Sequence, residues 1–188
     1  ATPCLRSRSP QRLILLLWIH FGLTAKIVDV ETAFLYGKLD EEIYMQCPQG
    51  LKDGGNDKVL LLKQCIYGLV QAARQYYKHI VEILKEIGFK GGSVDPCLFT
   101  KRDKWGICFI VLYVDDNLII GHPKAVEETI SLMRKHNLVL KVEDELTDYL
   151  SCEIVMSDDR KKAWLGQPHL IANLEKKFGE EVANLYRY

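Results

Sequence analysis

Two adjacent carboxylates, Asp115 and Asp116, close the stretch Tyr113-Val114-Asp115-Asp116, which lies between the apolar runs 107–112 and 118–120. Two apolar strands joined by a tight polar turn read as a β-hairpin. Neighbouring carboxylates at such a turn repel each other beside a core that solvates them poorly. A divalent cation relieves the repulsion, because Mg²⁺ takes hard oxygen ligands from one or two carboxylates together with a substrate's phosphates. The plainer alternative is an Asp-Asp-Asn turn, built from residues that tolerate turn geometry wherever it occurs. A further carboxylate, Asp29, lies far upstream in another apolar strand candidate, residues 25–30. If both strands share one sheet, three carboxylates converge at one edge. Such a cluster can hold two metal ions ~3.5–4 Å apart, the arrangement used for in-line phosphoryl displacement.

The elements that must position these residues are set by periodicity and punctuation. Residues 12–21 are mostly apolar and end at Gly22, a C-cap signal, so they read as a buried helix. Residues 43–46 and 59–63 read as short strands around a loop at 50–57 that is dense in Gly, Asp and Asn. The clearest helix comes after Tyr67-Gly68. There Ala73, Tyr76, Tyr77, Ile80, Val81, Leu84 and Ile87 recur at three- and four-residue steps, and Gly88 closes the run. Tyr76 and Tyr77 are read as core packing rather than as a platform for stacking bases. A turn at Asp95-Pro96, a strand at 97–101 and a turn at 102–104 lead into the hairpin. Pro123 opens a second amphipathic helix to about His136, with Val126, Ile130 and Met133 on one face. A strand at 138–142 and a hairpin from 150–156 and 163–165 come next. Pro168 suits the first turn of a last helix, which Gly179 is expected to end. Helices interleaved with antiparallel hairpins predict an α+β fold, a sheet with helices packed on one face.

The 188 residues allow one domain, or a domain and a fragment, with a real core. Basic and acidic residues balance at 25 each, which excludes a strongly basic nucleic-acid clamp while leaving local patches open. The longest apolar run, 13–21, is broken by His20 and is too short for a membrane span of ~20 residues. The polar, basic start carries no secretory cleavage pattern. Cys4, Cys47, Cys65, Cys97, Cys108 and Cys152 are scattered without C-x-x-C or neighbouring histidine pairs. That spacing fits neither a zinc site nor a disulfide framework and predicts free thiols in a reducing compartment.

Five ordered motifs carry a resemblance. They are Val28-Asp29-Val30-Glu31-Thr32-Ala33-Phe34-Leu35-Tyr36-Gly37; Glu42-Ile43-Tyr44-Met45; Ile66-Tyr67-Gly68-Leu69-Val70-Gln71-Ala72-Ala73-Arg74; Asp95-Pro96-Cys97-Leu98-Phe99; and Tyr113-Val114-Asp115-Asp116. In order and spacing the chain resembles the reverse transcriptases of copia-type LTR retrotransposons over roughly residues 12–180. The late stretches 149–154 and 166–171 are similar to that family as well. The resemblance implies a polymerase palm-like antiparallel sheet with partial fingers and a truncated thumb. It also implies RNA-directed DNA polymerase activity, with two-metal nucleotidyl transfer to a primer 3′-hydroxyl.

Carried over by position, the family's roles put Asp29, Asp115 and Asp116 at the metal-binding aspartates, with the Val30 carbonyl completing one metal site. The amides of Thr32 and Ala33 would face the incoming triphosphate. Phe34, by itself a core aromatic after a strand, matches the steric gate under the nucleotide sugar. Gln71 matches a residue contacting nucleotide and template. Arg74 is either a phosphate contact or a solvated helix position. Tyr113 and Val114 would lie beside the primer end, and Lys141 with the hairpin at 150–165 in the region that grips the primer. The implied cofactor is Mg²⁺ as two ions, with Mn²⁺ as a substitute. The implied partners are an RNA or DNA template with its primer and deoxynucleoside triphosphates, and no membrane. The setting would be intracellular: cytoplasm, retrotransposon particle or nucleus.

Residues 1–11 fit the pattern poorly and are expected to be a remnant. Residues 12–165 are expected to be the fingers and palm core, and 166–188 the start of a thumb or connection. The basic fingers segment, most of the thumb, RNase H and integrase of a Gag-Pol polyprotein are expected to lie elsewhere. Little or no activity is therefore expected from these residues alone. Two other readings remain: a non-catalytic nucleic-acid-binding or structural remnant, and a metal-dependent phosphohydrolase or nuclease using the same carboxylates. The last leaves Phe34 and Gln71 without a role.

Overall fold

Leu118, Ile119 and Ile120 are each fully buried, although consecutive strand residues point to opposite faces. A strand with one wet face alternates, so this run requires cover on both sides. The computed structural model describes residues 9–48, 50 and 58–185 and provides that cover. Residues 1–8, with Cys4, and the expected loop beyond Gly50 lie outside the described residues.

In chain order the elements are α1 (Ser9–Phe21), β1 (Thr24–Val30), a 3-10 turn (Ala33–Tyr36), β2 (Tyr44–Gln46), β3 (Val59–Leu61) and α2 (Ala72–Glu86). They continue with β4 (Lys90–Gly91), β5 (Leu98–Asp103), β6 (Gly106–Tyr113), β7 (Asp116–Gly121), α3 (Pro123–Lys135) and β8 (Leu140–Glu143). The chain then forms β9 (Asp148–Tyr149), β10 (Cys152–Met156), β11 (Ala163–Gly166) and α4 (Pro168–Leu185). The main sheet has six strands in the order β4-β5-β6-β7-β1-β8, and each neighbouring pair is antiparallel. Smaller sheets are β11-β10-β9 and β2-β3. The α+β class rests on this connectivity.

The helices do not share one face. Val28, Val30, Ile110, Leu112 and Ile119 join Tyr76, Ile80 and Leu84 of α2 and Val126, Ile130 and Met133 of α3 in one core. Ala25, Ile27, Val111, Leu118 and Ile120 face the other way, against Ile14, Leu15 and Trp18 of α1 and Tyr149 and Ile154. Helices thus cover both sides, which corrects the one-sided expectation. The physical reason was legible in the uninterrupted apolar run of β7. Each fully buried side chain of this size contributes about 1.5–3 kcal/mol, so both faces contribute to holding the central strands.

The last helix also departs from expectation. It runs through Gly179 to Leu185. Gly88 ends α2 because it takes a left-handed φ of +94° and its N–H returns to the Lys85 carbonyl. Gly179 is not among the glycines with positive φ. A helix tolerates such an interior glycine at a cost of about 1 kcal/mol. Among the cysteines, Cys97 is disulfide-bonded, against the expectation of free thiols throughout, whereas Cys47, Cys65, Cys108 and Cys152 are free. The scattered spacing of the cysteines gives no local signal for this bond. Among the described residues no helix is long and apolar enough to cross a membrane.

Candidate active site

The site forms where three central strands end together. β1 lies between β7 and β8, so Asp29 stands opposite Asp116 on one side and opposite Lys141 on the other. On the next ladder Tyr113 pairs with Asp116, leaving Val114 and Asp115 as the two-residue turn between β6 and β7. Directly opposed residues share a face. Tyr113, Asp116, Asp29 and Lys141 therefore form one row across the sheet.

Two devices hold the turn. The Asp115 carbonyl accepts the Val30 backbone N–H at 3.1 Å and the Asn117 side-chain amide at 3.0 Å. The same Asn117 amide reaches the Val28 carbonyl at 3.2 Å, so one fully buried side chain ties the turn to β1. Val114 sits at φ +55°. A β-branched residue there is an outlier, because its Cβ crowds the backbone in the left-handed region. Two-residue hairpins favour left-handed residues in the turn because their twist matches that of the strands. The hairpin geometry thus holds Val114 in a strained conformation at the carboxylate turn.

Electrostatics marks the same place. Burial first, and then the charge of Asp115, hold the Asp29 carboxyl above its ordinary range, with Lys141 opposing and Glu31 and Glu143 adding. Burial, then Asp115, Asp29 and Glu143, raise Asp116 as well, again against Lys141. Lys141 Nζ is itself drawn to Glu143 at 3.3 Å. Each carboxylate is thus less stable charged than it would be in water, the condition that a bound cation relieves. Among the described residues no group of three His, Cys, Asp or Glu side chains is drawn together as closely as a metal centre requires. The register brings the three carboxylates to one sheet edge without closing them into a finished cluster.

Thr32, two residues after β1, sits at φ +54° and leads into the 3-10 turn, where Ala33 is fully buried. The half-buried Phe34 ring packs on Tyr67 at 4.4 Å between centroids and meets Tyr76 edge-on at 6.5 Å. The Tyr67 phenol, raised by burial, also feels Asp115 and Asp29. Phe34 is thus braced by a ring that lies within the field of the carboxylates. Gln71 is engaged outside the carboxylate row. The Gln71 amide donates to Glu41 at 3.0 Å, and exposed Arg74 contributes its charge at Asp40. Asn117, Tyr67 and Tyr149 were not singled out from sequence. Asn117 alone carried a signal, as a polar residue directly before the apolar run of β7.

An α+β sheet that presents a carboxylate-bearing hairpin beside a third carboxylate is a donor set suited to metal-assisted phosphoryl transfer. Comparison with known proteins narrows that class. A family model described as reverse transcriptase (RNA-dependent DNA polymerase) matches residues 2–184. The chain belongs to this reverse transcriptase family. It is 32% identical over 174 residues to a retrovirus-related Pol polyprotein from transposon TNT 1-94 of Nicotiana tabacum, covering 92% of this chain and 13% of that protein. It is 35% identical over 122 residues to the Pol polyprotein from transposon RE2 of Arabidopsis thaliana, covering 64% of this chain and 8% of that protein. The corresponding RE1 polyprotein of the same plant is 32% identical over 154 residues, 81% of this chain and 10% of its own length. The copia-type retrotransposon resemblance read from the motifs is borne out, and the chain spans a small part of these relatives.

Proposed function

We propose that this chain is the palm-centred core of an RNA-directed DNA polymerase that extends a primer 3′-hydroxyl along an RNA or DNA template. The observation that carries the reading is the register of β1 against β7, which sets Asp29 opposite Asp116 beside the Asp115 turn. Asp29, Asp115 and Asp116, with the Val30 carbonyl, would hold Mg²⁺, or Mn²⁺ in its place; the two raised carboxyls fit a group that neutralises them. When bound, the metal supplies charge for the triphosphate and lowers the pKa of the attacking hydroxyl.

The remaining roles belong to the protein. The Thr32 and Ala33 amides face the triphosphate, and Phe34, braced by Tyr67, sits under the sugar. Tyr113, Val114 and Lys141 lie along the primer end. In this reading residues 12–165 are the fingers and palm core, and α4 begins the thumb or connection. Gln71 reaches the nucleotide only after releasing Glu41, and Arg74 is exposed one turn further along α2.

Primer extension with Mg²⁺ and deoxynucleoside triphosphates, compared with Asp115→Asn, tests the proposal. Template-dependent incorporation that the substitution abolishes supports it. Duplex retention without incorporation, weakening as salt rises, would identify a nucleic-acid-binding remnant instead.

A further inference from the structure

The second sheet adds one buried side chain to the sheet face that bears the carboxylate row. Tyr149 ends β9 and is 5% exposed, packed with Ile27, Val111 and Leu118. Those residues form a row of their own: Leu118 is the register partner of Ile27 on β1 and of Val111 on β6. Two residues further along the same face, the next row is Asp29, Asp116 and Tyr113. Successive rows on one face of a sheet lie about 7 Å apart, close to the reach of a tyrosine side chain.

The Tyr149 hydroxyl is buried and has no hydrogen-bond partner among the described residues. Burying an unpaired hydroxyl is costly, and an orphan of this kind requires an explanation. The charged group its phenol feels is Asp116, followed by the phenol of Tyr113, both in the adjacent row. Asp116 can only accept a hydrogen bond when ionised, and Tyr149 can donate one.

We propose that the Tyr149 hydroxyl is the hydrogen-bond donor that orients the Asp116 carboxylate, making Tyr149 a positioning residue supplied by the second sheet. This deepens the polymerase reading and rests on Asp116 as a metal-bearing carboxylate. The donor then restrains one carboxylate oxygen and leaves the other free for a cation. Partners that orient a metal ligand in this way typically carry 10–100-fold in metal affinity. The arrangement also gives β9–β10–β11 a direct mechanical link to the catalytic edge.

The test uses Tyr149→Phe, which deletes the hydroxyl and keeps the ring. Tyr149→Ala would also enlarge the apolar cavity of about 690 Å³ that Tyr149 lines with α1, β10, β11 and α4, and so would confuse packing with orientation. The expected result is Mn²⁺ affinity about tenfold weaker by electron paramagnetic resonance, in a protein that still folds because the buried ring is kept. In protein labelled with ¹³C-tyrosine, the ring Cζ resonance that Tyr149→Phe removes should shift on adding Mg²⁺ and respond to Asp116→Asn. Equal Mn²⁺ affinity in Tyr149→Phe and the unsubstituted protein overturns the proposal. So does a resonance that ignores Asp116→Asn but responds to Tyr113→Phe. If the unsubstituted protein binds no Mn²⁺ while the resonance still answers to Asp116→Asn, the metal reading fails and the Tyr149–Asp116 bond stands.

Discussion

Asp29 and Asp116 stand directly opposite each other on antiparallel strands, and the carboxyl groups of both are held above their ordinary range. A raised carboxyl pKa means that the folded state keeps protons which the unfolded chain has released. The favourable contribution is complete below the unfolded value near 3.8 and is lost as pH rises through the raised folded values. The metal-free protein should therefore lose stability over that window. Asp29→Asn should flatten the loss and raise the melting temperature at neutral pH. Mg²⁺ at a hundred times its Kd should restore about 2.7 kcal/mol, and Asp29→Asn should remove most of that gain. Melting curves across pH with and without Mg²⁺ read all three effects.

Asn117→Ala removes the amide that joins the Asp115 and Val28 carbonyls. Two buried acceptors then lose a donor, at a cost of roughly 2–3 kcal/mol. Urea unfolding should show a lower midpoint, and amide exchange at the turn should quicken.

Val114→Gly is expected to act in the opposite sense. Glycine occupies φ +55° without steric cost, so relief of strain, less the entropy of the freer unfolded chain, should raise unfolding free energy by up to about 1 kcal/mol. Val28→Gly, fully buried in extended backbone, should lower it by roughly 3 kcal/mol. Paired thermal denaturations distinguish turn strain from a general tolerance of glycine.

Phe34→Ala removes the ring braced on Tyr67 and Tyr76. Lost burial and ring contact should cost about 2–3 kcal/mol. In primer extension, the preference for deoxynucleotides over ribonucleotides should narrow at least tenfold. Undiminished discrimination would leave Phe34 as a packing residue only.

Lys26 bridges Glu127 of α3 at 2.7 Å and Asp144 at 2.9 Å, anchoring β1 from the face opposite Asp29. Its hydrogen bonds to Glu127 and then to Asp144 raise its pKa. Its stabilisation is complete below the ordinary lysine value near 10.5 and disappears as pH rises through the raised one. Both acidic partners are largely exposed, so Lys26→Met should cost only about 1 kcal/mol at neutral pH. The difference from the unsubstituted protein should vanish at strongly alkaline pH.

Local signals were legible where one residue type has one physical use. Gly88 closes α2, Pro123 opens α3 behind a His122 cap, and Asp115 sits in the hairpin turn with Asp116 opening the strand after it. Gly179 misled because a glycine after an apolar run ends a helix only when it turns left-handed, and Gly179 keeps helical geometry through to Leu185. The expectation of a single covered face fails because the continuous apolar run of β7 needs cover on both sides. The motif points Gln71 toward the nucleotide, while in this conformation its amide donates to Glu41.

The sequence by itself determined the three aspartates, the hairpin that carries two of them and the retrotransposon reverse transcriptase family, because motif spacing and short-range periodicity are local properties of the chain. Only the tertiary structure decided that Asp29 faces Asp116, that buried Asn117 fastens the turn to β1, and that Tyr149 carries an unpaired buried hydroxyl into the core beside Ile27 and Leu118. Those relationships depend on strand register and on which face each residue takes. A shift of one residue in pairing would send Asp29 to the opposite face, and no local stretch of sequence encodes that choice.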